Sequence, residues 1–173
     1  MNLKKTIRSI PDWPIPGVVF RDLTTLMQDP EAFKYSCDIL FQRYCDKGID
    51  KIVGIDARGF VFGGVLAYKL GIGFVPVRKV GKLPFRIIQE NYDLEYGTDT
   101  LEIHQDGIIA GEKVVVVDDL IATGGTVGAT VKLVRKLGGD IVECAFIVEL
   151  PDLKGRDQIT GCPVFSMVAF EGE

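Results

Sequence analysis

Four consecutive valines, Val114–Val117, run straight into two adjacent acids, Asp118 and Asp119, and then into the short loop Ala122–Thr126, ATGGT. An uninterrupted β-branched run reads as a strand over Lys113–Val117 buried on both faces, as in the centre of a parallel sheet. The helical pattern that follows carries Val127, Val131 and Val134 on one stripe and stops at Gly138 and Gly139. Strand, glycine-rich turn and helix start together present converging N–H groups and the positive end of a helix dipole, which suits an anion.

The chemistry of that junction narrows further. Two glycines let the backbone approach a ligand closely, and Thr123 and Thr126 add hydroxyl donors. Neither G-x-x-x-x-G-K-[ST] nor G-x-G-x-x-G is present, which disfavours an ATPase or a dinucleotide enzyme. Carboxylates at a strand's carboxyl end accept hydrogen bonds from vicinal hydroxyls and can hold hydrated magnesium. A phosphate cradle one sugar away from Asp118 and Asp119 reads as a ribose 5-phosphate site. A turn-forming Asp and a helix cap would account for the same residues without a ligand, but two acids after a buried strand are costly unless something satisfies them.

The rest of the chain fits one α/β domain over residues 1–173. Lys51–Ile55, a helix over Phe60–Leu70 closed by Gly71, and Gly73–Val77 form a strand–helix–strand unit with a right-handed crossover. Asp29 and Pro30 open a helix with Phe33, Cys37, Leu40, Phe41 and Tyr44 on its apolar stripe. Residues 1–29 are expected to form a small, irregular hood after a possible short helix, broken by Pro11, Pro14 and Pro16. Residues from about 80 to 104 are expected to form a lid, with a hairpin of Tyr92–Tyr96 and Thr100–Ile103 around Gly97. Further strands are expected at Glu143–Leu150 and Pro163–Val168.

Composition excludes several classes. The net charge of -4 offers no general attraction to nucleic acid or an acidic membrane, and neither partner is expected. The four cysteines form no C-x-x-C pair and read as reduced thiols. The start of the chain lacks an apolar signal core, and no stretch approaches the roughly 20 apolar residues of a membrane span. A cytoplasmic location is expected. His104 is the only histidine, so a His-based metal cluster is excluded, and a structural role is expected for it.

Val114–Thr126 resembles the phosphoribosyl-diphosphate signature of the type I phosphoribosyltransferases. PIPGVVFRD (14–22), DARGFVFG (56–63), VRKVGKLP (77–84), YDLEYGTDTLEIH (92–104) and VELPDLKGR (148–156) resemble the adenine-using members, so the similarity covers nearly the whole chain. The resemblance implies a mostly parallel sheet flanked by helices, a homodimer, and magnesium-dependent, reversible transfer of the 5-phosphoribosyl group from phosphoribosyl diphosphate to N9 of adenine, giving AMP and diphosphate. It implies that Ala122, Thr123, Gly124, Gly125 and Thr126 hold the 5-phosphate and that Asp118 and Asp119 hold the ribose hydroxyls. Arg58, Gly59, Arg78, Lys79 and Lys82 are implied for the diphosphate, and a cis peptide is expected at Asp56–Ala57. Magnesium is expected to ride on the diphosphate, with few direct protein ligands. Phe20 is implied as the purine platform, with the backbone at Val19 and Arg21 reading the base edge. Glu95 is implied as the group that takes or shares a purine proton, with Tyr96 a lesser lid candidate. A transferase for another base and a regulatory protein that binds the donor without turnover are the alternatives. A repressor of the second kind would need a DNA-binding domain for which this chain has neither room nor charge.

Overall fold

The structure is a computed structural model and describes residues 1–94 and 97–172. After a 3-10 turn at Leu3–Thr6 come strands β1 (Arg8–Pro11) and β2 (Val19–Asp22) and helices α1 (Thr24–Gln28) and α2 (Pro30–Tyr44). Strand β3 (Lys51–Ile55), helix α3 (Gly59–Leu70) and strand β4 (Gly73–Lys79) follow, then the hairpin β5 (Ile87–Asp93) and β6 (Thr98–His104). Strand β7 (Lys113–Ile121), helix α4 (Gly125–Lys136), strand β8 (Asp140–Glu149), two 3-10 turns and strand β9 (Val164–Ala169) complete the described chain.

Seven strands form one sheet in the order β5-β6-β4-β3-β7-β8-β9. The pairings from β4 through β3, β7 and β8 to β9 are parallel, and β5 and β6 add an antiparallel edge. The expected mostly parallel sheet is therefore present. Val115 and Val117 pack with Ile52, Phe62 and Leu66 on one face, and Val114 and Val116 pack with Val53, Val131 and Val134 on the other. That division explains the valine run: α2 and α3 cover one face and α4 the other, so neither face of β7 meets water. All four valines are 0% exposed, each contributing about 1.5–3 kcal/mol by burial.

The helix ends follow local chemistry. The Asp29 side chain accepts from the N–H groups of Glu31 and Ala32, and Pro30 occupies the first turn of α2. Gly71 closes α3 at φ 69°, a left-handed conformation that costs glycine little.

Three expectations need correction. β7 does not stop at Val117 but runs to Ile121, because β8 continues to pair with it through Ile121↔Glu149. Its pairing with β3 ends at Gly54↔Val117. The two acids therefore lie on a strand that has outrun one neighbour, beside the crevice between β3 and β7 where the connections diverge to opposite sides of the sheet. The hood is not wholly irregular, since β1 and β2 pair antiparallel from Arg8↔Asp22 to Pro11↔Val19. Its prolines hid the alternation: Pro11 ends β1, and the turn between the strands contains a cis Trp13–Pro14 bond. The hairpin is longer than its sequence signal, pairing from Ile87↔His104 to Asp93↔Thr98.

Helix α2 is tied to the sheet a hundred positions later. Buried Glu143 accepts from Arg43 Nε at 2.6 Å, Arg43 Nη2 at 2.8 Å and the Tyr44 hydroxyl at 2.6 Å. Burial works against the Glu143 charge, but these donors prevail and hold its pKa below the ordinary value. Glu143→Ala should strand both donors and cost about 2–3 kcal/mol in urea unfolding, since Arg43 keeps partial access to water. A loss under about 0.5 kcal/mol, the range of ordinary surface changes, would refute that role.

Candidate active site

The hood, the β3–α3 turn, the β5–β6 hairpin and the end of β7 meet around a cavity of about 540 Å³. Its lining includes Val19, Phe20, Arg21, Arg58, Lys79, Asp118, Asp119, Ala122 and Thr126. Asp56, Tyr92, Asp99, Leu150 and Leu153 also reach it. A larger hollow of about 700 Å³ lies between the chain start, α2 and β9. It brings together no comparable set of opposed charges, so the smaller cavity is the candidate site.

Strand β2 brings the hood residues to the cavity. Asp22, at its end, accepts from Arg8 Nε at 3.0 Å, Arg8 Nη2 at 2.5 Å and Thr24 N at 2.9 Å. Hydrogen bonds from Thr24 and Arg8 hold its carboxyl down to about 2. Phe20 meets Trp13 edge-on at 4.5 Å between ring centres. The Arg21 guanidinium donates to Ser9 Oγ at 2.5 Å and stacks 4.2 Å from the Phe170 ring. That packing occupies the Arg21 side chain and leaves its backbone as the part suited to reading a ligand.

The two strand-end acids have different surroundings. Asp119 is 5% exposed and receives a hydrogen bond from Arg58 Nε. Asp118 accepts the backbone N–H of Asp119 at 2.8 Å. Burial, then the neighbouring Asp119 charge, pushes Asp118 well above the usual carboxylate range. Burial opposes the charge on Arg58, but the attraction of Asp119 outweighs it and raises the Arg58 pKa. Gly59 packs so tightly on β7 that a Cβ there would stand 2.7 Å from the Val117 carbonyl. The close approach of α3 to the acids thus accounts for Gly59, which does not line the cavity.

Ala122–Thr126 curls around a cleft of about 100 Å³ that it shares with Asp118 and Leu120. Gly124 stands at φ 83° just before α4, and a Cβ on it would meet the Gly155 carbonyl at 2.2 Å. A Cβ on Gly155 would in turn meet the Ala122 carbonyl at 2.3 Å. The two glycines let the loop and the β8–β9 connection interlock.

The basic cluster is engaged by acids. Arg78 Nε lies 3.0 Å and Lys82 Nζ 3.8 Å from Asp56 Oδ2, while Lys79 Nζ pairs with Asp99 at 2.8 Å. Arg78 and Lys82 thus reach the cavity through Asp56 and do not line it. The Asp56–Ala57 peptide is cis. Sequence reasoning assigned no role to Asp56, Asp99, Tyr92, Glu102 or Gly155. Glu102, 2% exposed, accepts from the N–H groups of Lys82 and Leu83 and shapes the turn that carries Lys82. Its alternation with His104 was the available signal. Glu95 and Tyr96 lie outside the described residues.

A family model for the phosphoribosyl transferase domain matches residues 24–171. The chain belongs to the phosphoribosyltransferase family. A phosphoribosyltransferase of Desulfosudis oleivorans, named as adenine phosphoribosyltransferase, is 63% identical over 173 residues, covering 100% of both chains. The adenine phosphoribosyltransferase of Aeromonas salmonicida is 55% identical over 99% of this chain and 96% of its own. Among solved structures, the adenine phosphoribosyltransferase of Thermoanaerobacter pseudethanolicus superposes with a TM-score of 0.93 at 48% identity, covering 97% of this chain and 98% of its own. The Saccharomyces cerevisiae enzyme, solved with an imino-altritol bisphosphate and adenine, gives 0.91 at 41% identity, covering 96% of each chain.

A carboxyl whose pKa is raised on folding stabilises the fold fully below its unfolded pKa, and that contribution is lost as pH rises through the raised value. Asp118→Asn should therefore stabilise the ligand-free phosphoribosyltransferase at pH 7. The gain should shrink toward pH 4, as followed by calorimetry across pH. A variant that melts lower at pH 7 and equally at pH 4 would contradict the assignment.

Proposed function

We infer that the chain moves the 5-phosphoribosyl group from phosphoribosyl diphosphate to N9 of adenine, releasing diphosphate and forming AMP, a purine-salvage reaction. One observation carries the reading: the phosphate loop, the paired strand-end acids and the Phe20 strand border one cavity. On this reading Ala122–Thr126 is the anion cradle, Asp118 and Asp119 are the carboxylates for the ribose hydroxyls, and Phe20 is the apolar platform.

In the proposed reaction the bond from ribose C1 to diphosphate breaks and the bond from C1 to N9 forms. Positive charge develops on the ribose, which the ionised acids favour. Arg58 and Lys79 line the cavity and are proposed to neutralise the leaving diphosphate, with Arg78 and Lys82 drawn from Asp56 to the same task. Gly59 serves this site by bringing the α3 start close to β7. Val19 and Arg21 are proposed to read adenine through the backbone. A carbonyl accepts the exocyclic amine and an N–H donates to N1, contacts that hypoxanthine and guanine would not satisfy. Glu95 is proposed to take or share the purine proton. The hood of residues 1–29 supplies the base slot, and residues of about 80–104 form the lid that keeps water out.

Magnesium fits this site as an ion carried by the substrate. Among the described residues no group of three or more His, Cys, Asp and Glu side chains could hold a metal, and Asp119 already faces Arg58. When bound, the ion would screen the charge of the diphosphate, and Asp118 would be the cleft carboxyl to hold it, since Asp119, Asp56 and Asp99 already pair with Arg58, Arg78 and Lys79. No helix among the described residues is long and apolar enough to cross a membrane. We place the enzyme in the cytoplasm, a location that suits its free thiols, and propose no nucleic-acid or membrane partner.

A homodimer belongs to the same reading. Helix α3 exposes Val61 (40%) and Tyr68 (86%) one heptad apart, with Gly64 open between them. Unpartnered apolar helix faces mark association surfaces. The Arg78 guanidinium lies 5.9 Å from the Phe60 ring at the start of that helix, which puts the basic cluster close to the proposed interface. Tyr68→Glu should convert a dimer to a monomer in sedimentation. A native chain that is monomeric at assay concentration would overturn this.

The deciding assay is AMP formation from adenine, phosphoribosyl diphosphate and magnesium, with hypoxanthine, guanine and xanthine as parallel acceptors. Turnover with adenine alone is expected. Turnover with another base would sink the Val19–Arg21 assignment, and tight donor binding without turnover would point to a regulatory protein. Glu95→Ala should lower kcat by about 10²–10⁴-fold while leaving the donor KM within a few-fold. A near-native kcat would remove Glu95 from the chemistry.

A further inference from the structure

Two sulfur atoms meet outside the active site. Cys144 lies on β8, fully buried between β7 and β9, and Cys162 lies in the turn that enters β9. Their Sγ atoms are 3.7 Å apart. The backbone joins them as well, since the Cys144 N–H donates to the Pro163 carbonyl at 3.0 Å. Cys162 is half-buried, so a small reagent can reach it while its partner stays shielded.

The surroundings differentiate the two thiols. Arg135, near the end of α4, donates to the Thr160 carbonyl at 2.5 Å and lies 3.2 Å from where a Cβ on Gly161 would stand. A fixed positive charge therefore stands beside the Cys162 turn, while Glu143, next to Cys144 on β8 but turned to Arg43 and Tyr44 on the other face, carries the opposite sign. The hydrogen bond from Cys144 and the Arg135 charge outweigh burial and Glu143, lowering Cys162 to about 7. The same shared hydrogen bond and burial raise Cys144. Neither other cysteine has such a partner among the described residues: burial pushes Cys37 up to about 11, and exposed Cys45 contacts the Gln42 carbonyl.

We propose that Cys144 and Cys162 are a reversible thiol–disulfide site, oxidised by a peroxide, whose closure restrains the segment between β8 and β9. The Cys162 thiolate attacks a peroxide oxygen and the O–O bond breaks. Cys162 becomes a sulfenic acid, and the departing hydroxide takes up a proton as water. The Cys144 sulfur then attacks the Cys162 sulfur. The S–O bond breaks, and hydroxide leaves with the Cys144 proton as a second water. The two thiols give up two electrons and two protons, and one peroxide accepts both.

The bond would close a ring over residues 144–162. That ring contains Leu150 and Leu153, which line the cavity, and Gly155, which interlocks with the phosphate loop. The sulfurs must approach to roughly 2 Å. The turn around Gly161, at φ 73°, can supply that movement more readily than β8, which has a parallel neighbour on each side. The proposal does not depend on which base or donor the enzyme uses.

The test treats the full-length protein with hydrogen peroxide, blocks remaining thiols with N-ethylmaleimide and maps tryptic peptides. Cleavage after Lys154 and Arg156 puts Cys144 and Cys162 on separate peptides. A Cys144–Cys162 cross-link about 2 Da lighter than the reduced pair is expected, reversed by dithiothreitol, with Cys45 still alkylated. Cys144→Ala should leave Cys162 as a sulfenic acid trapped by dimedone, and Cys162→Ser should leave Cys144 unoxidised. Hydrogen exchange across residues 150–160 should slow in the oxidised native protein and not in peroxide-treated Cys162→Ser. Oxidation of Cys45 first, or of Cys162 to sulfinic acid with Cys144 still free, would overturn the site. Unchanged exchange in a fully cross-linked protein would overturn the restraint.

Discussion

Two carboxylates in adjacent positions at the end of a buried strand set the terms for everything around the cavity. They repel each other and are largely withdrawn from water, so the fold must supply donors or leave one of them protonated. It does both. Arg58 and a backbone N–H answer the charge, and Asp118 retains a raised pKa. Bringing Arg58 within reach requires the start of α3 to lie almost on β7, which is where Gly59 stands. The end of β3 at Val117's level opens the crevice that lets this happen.

The hairpin extends this arrangement away from the strand ends. Glu90 on β5 pairs with Lys136 at 2.5 Å and with Lys132 at 3.5 Å, both on α4. Tyr92 donates to Asp99 at 3.2 Å and its hydroxyl also engages Thr126. A Cβ on Gly125 would approach the Tyr92 ring to 3.1 Å. The hairpin therefore meets α4 through ion pairs that are individually weak, and the phosphate loop through one tyrosine. The hairpin is also anchored from within, since β6 pairs with β4 and buries Leu101 and Ile103 in the second core.

Much of this was legible in the chain because its signals are local. Strand β3 was read with its observed limits, and helix α3 to within one residue of them, since a buried run and an apolar helix each carry their own period. The valine run placed β7 at the centre of the sheet. What escaped depends on partners distant in sequence. The length of β7 is set by β8, whose pairing continues to Glu149. The β1–β2 ribbon has three prolines in its path, and no alternation survives them. Asp99 and Glu102 look like surface acids until Lys79, Lys82 and Leu83 are brought beside them. Only the fold gathers the phosphate loop, the acids and Phe20 at one cavity, since nearly a hundred positions separate Phe20 from Asp118.

The cations around the cavity already have counter-ions: Arg58 with Asp119, Arg78 and Lys82 with Asp56, and Lys79 with Asp99. On the proposed reading, phosphoribosyl diphosphate enters an ion exchanger. Each phosphate oxygen that gains a guanidinium or ammonium displaces a carboxylate belonging to the protein. The freed carboxylates then need new partners, and the ribose hydroxyls and a hydrated cation are the groups arriving with the substrate. Donor and metal would consequently bind as interdependent events, and much of the electrostatic attraction would appear as selectivity for a ligand that can satisfy both signs of charge at once.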